Sequence, residues 1–203
     1  MNFIKLLAIW LITLPVFADN ENVSLLIYGD SISAGYGMDK DEQWSEDLKV
    51  LFKKNNFNID IYNSSVSGET TGGGLSRINK VLNELKPSYV LLELGGNDAL
   101  RGYPPEKIYQ NLMKMIEACK ERGIEVFLMQ IRILPNYGKR YQTKFESIYA
   151  QASNDSDVVL VPFMLEEIAL KKDMMFSDGI HPNEKAQPLI ANFVYENLKL
   201  FLK

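Results

Sequence analysis

Apolar residues follow two alternating patterns along the chain. Short continuous runs occur at Val23 to Tyr28, Ile59 to Tyr62, Tyr89 to Leu94, Ile124 to Gln130 and Val158 to Val161. Runs of this kind, rich in β-branched residues and without strict alternation, suit strands of a sheet covered on both faces. Between them the apolar positions recur every three or four residues. Trp44, Leu48, Leu51 and Phe52 share one helical face, as do Leu75, Ile78, Leu82 and Leu85, and again Ile108, Leu112, Met115, Ile116 and Cys119. Pro104-Pro105 fit the first turn of that third helix and Gly123 follows its end. A last helix from about Glu184 to Phe201 is expected to bury Ala186, Leu189, Ile190 and Phe193, and the cluster Glu166, Glu167, Lys171, Lys172 and Asp173 reads as a solvated helix face. Five strands alternating with about as many helices predict an α/β fold with a mostly parallel sheet between two helix layers.

Ahead of this pattern, Lys5 precedes an apolar run of twelve residues, Leu6 to Phe17, which ends in Val16-Phe17-Ala18 before the polar stretch Asp19-Asn20-Glu21-Asn22. The run falls short of the ~20 apolar residues of a transmembrane helix. It has the layout of an export signal cleaved after Ala18. We therefore expect residues 1–18 to be a signal peptide and 19–203 one domain, periplasmic or secreted, with no stable membrane insertion after cleavage. Neither an internal repeat nor a linker divides it.

Composition narrows the function. With 22 Lys+Arg against 26 Asp+Glu the formal charge is −4, the wrong sign for a protein that binds a phosphate backbone, so nucleic acid is not an expected partner. One Cys cannot form an intrachain disulfide, and one His cannot supply a multi-histidine zinc site. A carboxylate-only cation site stays open on composition. Cys119 lies on an apolar stripe and is expected in the core rather than as a reactive thiol.

In parallel α/β sheets ligands bind beyond the carboxyl ends of the strands, and here those positions are polar and glycine-rich. Gly29-Asp30-Ser31-Ile32-Ser33 follows the first run, Asn63 to Thr70 with Gly68 follows the second, and Gly95-Gly96-Asn97-Asp98 follows the third; Asp178-Gly179-Ile180-His181-Pro182-Asn183 precedes the last helix. His181 sits in a Gly/Pro-bounded loop where no apolar stripe requires it, and Asp178 lies three residues upstream. With Ser31 these are the parts of a Ser-Asp-His triad. A serine hydroxyl needs a base whose pKa lies near the working pH, which an imidazole supplies, and a carboxylate fixes its tautomer. Backbone N–H groups of Ser31 and Gly68 and the Asn97 amide are candidate oxyanion donors. Asp30 and Asp98 read as loop acceptors holding Ser31 or Asn97 in place.

The blocks Gly29-Asp30-Ser31, Gly68, Gly96-Asn97-Asp98 and Asp178-x-x-His181 resemble those of the SGNH (GDSL) hydrolases, in order, over the whole of 19–203. The resemblance implies a flavodoxin-like three-layer α/β/α fold with a Ser31/Asp178/His181 triad and an oxyanion hole from Ser31, Gly68 and Asn97. It further implies hydrolysis of acyl thioesters, lysophospholipids and small esters without a metal or other cofactor, on small-molecule or lipid acyl substrates, by a monomer. In this family the loop after the fourth strand helps cover the acyl chain, which makes Ile131, Ile133, Leu134 and Pro135 candidate substrate contacts. Pro135 stands one position later than in a similar family member, and moving a fixed φ by one residue re-aims its apolar neighbours.

Other motifs fail on spacing. Gly68 to Gly74 lacks a following Gly-Lys-Ser/Thr, Gly35-Tyr36-Gly37 lacks the third glycine of a dinucleotide fingerprint, and Ser31 is not in G-x-S-x-G. Two alternatives to an acyl esterase and thioesterase stand beside it: a carbohydrate O-deacetylase built on the same blocks, and a catalytically silent lipid- or glycan-binding module. Trp10 lies in the signal and Trp44 in a helix stripe, which leaves no tryptophan as an exposed sugar platform.

Overall fold

The computed structural model describes residues 23–133 and 135–202, excluding the side chain of Pro135. The expected signal peptide, residues 1–18, and Leu134 lie outside the described residues. Five strands, β1 (Ser24–Gly29), β2 (Asp60–Asn63), β3 (Tyr89–Glu93), β4 (Glu125–Met129) and β5 (Val159–Val161), form one sheet in the order β2-β1-β3-β4-β5. Every pairing is parallel, so the mostly parallel sheet expected from the pattern is wholly parallel among the described residues. β1 and β3, two neighbouring inner strands, are buried at every position, which is why they are apolar but for Ser24 at the start of β1 and Glu93 at the end of β3.

The helices are α1 (Trp44–Lys54), α2 (Thr71–Leu85), α3 (Gly96–Leu100), α4 (Pro105–Lys120), α5 (Lys139–Ser156) and α6 (Gln187–Leu198). α1 packs on α6, while α4 packs on both α2 and α5, giving a helix layer on each face of the sheet. Apolar stripes direct that packing. Trp44, Leu48 and Phe52 of α1 are buried, as are Ile78 and Leu82 of α2 and the whole Ile108 to Cys119 stripe of α4. Burial pushes the Cys119 thiol up to about 12, so it remains an un-ionised core side chain.

Two expectations need correction, and one helix was not expected. Leu189 is 45% exposed: Ala186 and Ile190 face the core, and α6 turns Leu189 outward. The cluster from Glu166 to Asp173 is exposed as expected, but on a run of turns and a single 3-10 turn, Lys172–Met174, rather than on an α-helix. α5 is a helix that the pattern left unassigned; its buried positions, Phe145, Ile148, Tyr149, Ala152 and Ser153, have helical spacing but are diluted by polar neighbours.

With this strand order the chain leaves β1 towards β2 on one side and returns to β3 on the other. The crevice that opens between the ends of β1 and β3 is the switch point where such sheets bind ligands. Ser31 follows β1 and Asn97 follows β3, so topology brings them to the same crevice.

Candidate active site

The loop after β1 is an irregular turn. Ala34 N–H donates to the Asp30 carbonyl at 2.9 Å and Tyr36 N–H to the Ser31 carbonyl at 3.1 Å, which folds the chain back and leaves Ser31 at the crevice. From the other end of the sequence, the segment before α6 is held by an antiparallel bridge between Met175 and Pro182 and by the Phe176 N–H donating to the His181 carbonyl at 2.8 Å. The buried Gln187 side chain ties this segment to α1. Its amide donates to the Asn183 carbonyl at 3.1 Å, and its carbonyl oxygen accepts from the first N–H of α1, on Trp44, at 3.1 Å. An orphan donor of a helix start is thus satisfied by the residue that positions the histidine loop.

Asp178 shapes its own turn. One carboxylate oxygen accepts from the backbone N–H groups of Ile180 (2.8 Å) and His181 (3.0 Å), and the other lies 2.7 Å from His181 Nδ1. On the far side of the ring, Nε2 is 2.9 Å from Ser31 Oγ. The carboxylate fixes the proton on Nδ1, so Nε2 accepts from the serine hydroxyl. Burial pushes the Asp178 carboxyl up, but the His181 N–H, the imidazole and the Ile180 N–H outweigh it and hold the pKa at about 2. The carboxylate is therefore charged wherever the imidazole works.

Asn97 is the second residue of α3, and its side-chain N–H₂ donates to Asp30 Oδ2 at 3.0 Å, while Asp30 Oδ1 accepts from Ile32 N–H at 3.1 Å. Asp30 therefore braces both the nucleophile loop and Asn97, as expected. Asp98 does something else: its carboxylate accepts from the Thr71 N–H and Thr71 Oγ at 2.7 Å each and so fastens the start of α2. Ser31, Asn97, His181, Ile131 and Ile133 line one cavity of about 270 Å3, whose remaining wall is largely aliphatic and thioether, including Ile32, Leu100, Met164, Leu165 and Ile180.

Gly68 is exposed and does not line that cavity. Its carbonyl accepts from the Arg101 guanidinium at 3.3 Å. A Cβ there would meet nothing within 4 Å, so the glycine is required by its φ of +78° rather than by crowding against a neighbour. Leu134 lies outside the described residues, and Pro135 opens a 3-10 turn, Pro135–Tyr137.

Sequence reasoning missed Glu93. It lies inside a run read as apolar, is 2% exposed, and its carboxylate accepts from Ser33 Oγ at 2.7 Å and faces the Asp30 N–H at 3.4 Å. A charged residue ending a buried strand was the available signal. Burial raises the Glu93 carboxyl well above its ordinary value, with the Asp30 charge adding to it. Burial likewise lifts Asp30 to about 6, with the Ile32 N–H, the Asn97 amide and His181 pulling it down and Asp98 pushing it up. A larger groove of about 920 Å3 beside β5 and α6 shares Arg132, Phe163 and Met164 with this cavity but is not lined by Ser31, His181 or Asn97.

The site and fold define an acylhydrolase. Residues 27–188 match the GDSL-like Lipase/Acylhydrolase family, and the chain belongs to it. An arylesterase of Vibrio mimicus is 43% identical over 96% of this chain and 98% of its own length. The thioesterase 1/protease 1/lysophospholipase L1 of Escherichia coli K12 is 43% identical over 87% of this chain and 83% of its own. Among solved structures, the psychrotrophic esterase EstA from Pseudoalteromonas sp., inhibited by monoethylphosphonate, superposes with a TM-score of 0.86 at 41% identity, covering 88% of this chain and 98% of that one.

Proposed function

We propose that the chain hydrolyses carboxylic esters and thioesters through an acyl-enzyme on Ser31. The observation that carries this is the continuous relay Ser31 Oγ to His181 Nε2 (2.9 Å) and His181 Nδ1 to Asp178 (2.7 Å) at the mouth of an apolar cavity. As Oγ attacks the acyl carbon, its proton passes to Nε2, and Asp178 stabilises the imidazolium. The new oxyanion is received by the Ser31 N–H and by the Asn97 Nδ2–H that Asp30 leaves free, with the Gly68 N–H completing the set from outside the acyl cavity. Asp30 aims that amide by engaging the other N–H. Collapse expels the alcohol or thiol, which takes the proton from Nε2, and a water activated by the same imidazole releases the acid.

The relatives named arylesterase and thioesterase 1/protease 1/lysophospholipase L1 support acyl esters and thioesters as the substrate class. The cavity wall favours an acyl chain over a sugar ester, since Phe163 is the one carbocyclic ring among its described lining residues and saccharides stack on aromatic platforms. Ser31→Ala should lower kcat on p-nitrophenyl esters and acyl-CoA thioesters by about 10⁴-fold or more with an unchanged melting temperature. Wild-type turnover by that variant would overturn the assignment and favour a silent binding module.

A further inference from the structure

Tyr36 takes no part in the relay, yet its ring stacks on the base. The Tyr36 and His181 ring centroids are 4.2 Å apart with their planes inclined by 27°. The same residue's N–H donates to the Ser31 carbonyl at 3.1 Å, so one residue touches the nucleophile through its backbone and the base through its side chain. Core packing does not explain this ring, which is 50% exposed. The local chain is built to place it. Gly35 and Gly37 flank it at φ of +69° and +78°, and a Cβ on Gly37 would come within 3.3 Å of the Phe176 ring. Phe176 in turn donates its N–H to the His181 carbonyl. The loop after β1 and the histidine loop therefore meet at Tyr36 on His181, and the missing Cβ of Gly37 leaves room for the Phe176 ring beside them.

We propose that Tyr36 is a positioning residue of the hydrolase: its ring holds the His181 imidazole in the plane that joins Ser31 to Asp178 and stabilises the imidazolium formed during acyl transfer. This rests on His181 acting as the base. In the step concerned, the bond between Oγ and the acyl carbon forms as the Ser31 O–H bond breaks and the proton moves to Nε2. The cationic ring then lies against the electron-rich face of the phenol, an attraction that a neutral ring lacks. It leaves when Nε2 returns the proton to the departing oxygen or sulfur. The acidic groups facing the imidazole are Asp178 on its own loop and Asp30 on the loop after β1, with Glu93 behind Asp30. Charge attracts the imidazolium without fixing its plane; a stacked ring fixes it.

The single histidine of the chain makes the test direct, because its imidazole C–H resonances are unique in the NMR spectrum. Tyr36→Phe should keep those resonances shifted upfield by the stacked ring and keep kcat within about twofold, because the face of the ring and not the hydroxyl is at work. Tyr36→Leu and Tyr36→Ala should move the resonances downfield and lower kcat about tenfold with little change in KM. Unmoved resonances in the Leu and Ala variants, wild-type kcat in both, or a Phe variant as impaired as Leu would overturn the proposal. The resonances report the stack whether or not the protein turns over, and wild-type turnover separately reports the relay.

Discussion

Asn97 and Asp30 show how much a single hydrogen bond can direct. With one Nδ2–H committed to Asp30, the amide cannot flip without breaking a 3.0 Å bond to a buried carboxyl. Asn97→Ala should lower kcat by roughly 10²- to 10³-fold with a small effect on KM, as expected of a donor that acts in the transition state; a loss confined to thermal stability would contradict it. The buried acids beneath Ser31 also give stability an unusual pH dependence. Folding raises Asp30 from 3.8 to about 6 and holds Glu93 well above its ordinary value, so the folded chain holds these protons more tightly than the unfolded one. Their burial therefore costs stability most above about pH 6 and progressively less as pH falls towards 4. Asp178 works in the opposite direction, its contribution complete above 3.8 and lost as pH falls to about 2. The melting temperature should be higher at about pH 5 than at about pH 7.5, and Glu93→Gln, which keeps an acceptor for Ser33, should shrink that difference. A wild-type melting temperature that rises steadily from pH 5 to 7.5 would refute the claim that this acid pair is costly.

The elements that carry these residues are joined by polar contacts which no local pattern reveals. Asp98 was expected to steady its own loop. It instead bridges α3 to the first residue of α2, where Asn111 of α4 completes the network by donating to Thr71 Oγ at 3.0 Å. Three helices thus meet at one buried carboxylate. Asp98→Ala would leave the buried Thr71 N–H and hydroxyl without that acceptor and should cost about 2–3 kcal/mol in urea unfolding; a change below about 0.5 kcal/mol would mean that the junction is not structural. Partners 27 and 40 residues away cannot be read from a four-residue motif. Element types were easier, because burial on both faces left β1 and β3 apolar but for Ser24 and Glu93 at their ends, and one-sided burial left α1, α2 and α4 striped. α5 escaped because polar residues fill most of its length, and Leu189 was misplaced because one residue of rotation along α6 decides whether it faces the core or solvent.

Across the whole molecule, a parallel sheet whose strand order reverses between β1 and β3 gathers a serine near residue 30, an amide near residue 100 and a histidine near residue 180 at one crevice. The sequence made the Ser31, Asp178 and His181 constellation legible because loops rich in glycine and polar residues after apolar strands have few purely structural uses. It concealed Tyr36, whose bracketing glycines resemble an ordinary turn, and Glu93, which a run of apolar neighbours disguised. Both act through contacts made between distant segments. Whether Ser31 is a nucleophile activated by His181 can be read by mass-spectrometric mapping after exposure to an activated alkyl phosphonate. We predict one adduct on Ser31 in the wild type, formed at least roughly 10²-fold more slowly in His181→Ala. An adduct on a different residue, or labelling of Ser31 at the wild-type rate without the imidazole, would contradict it.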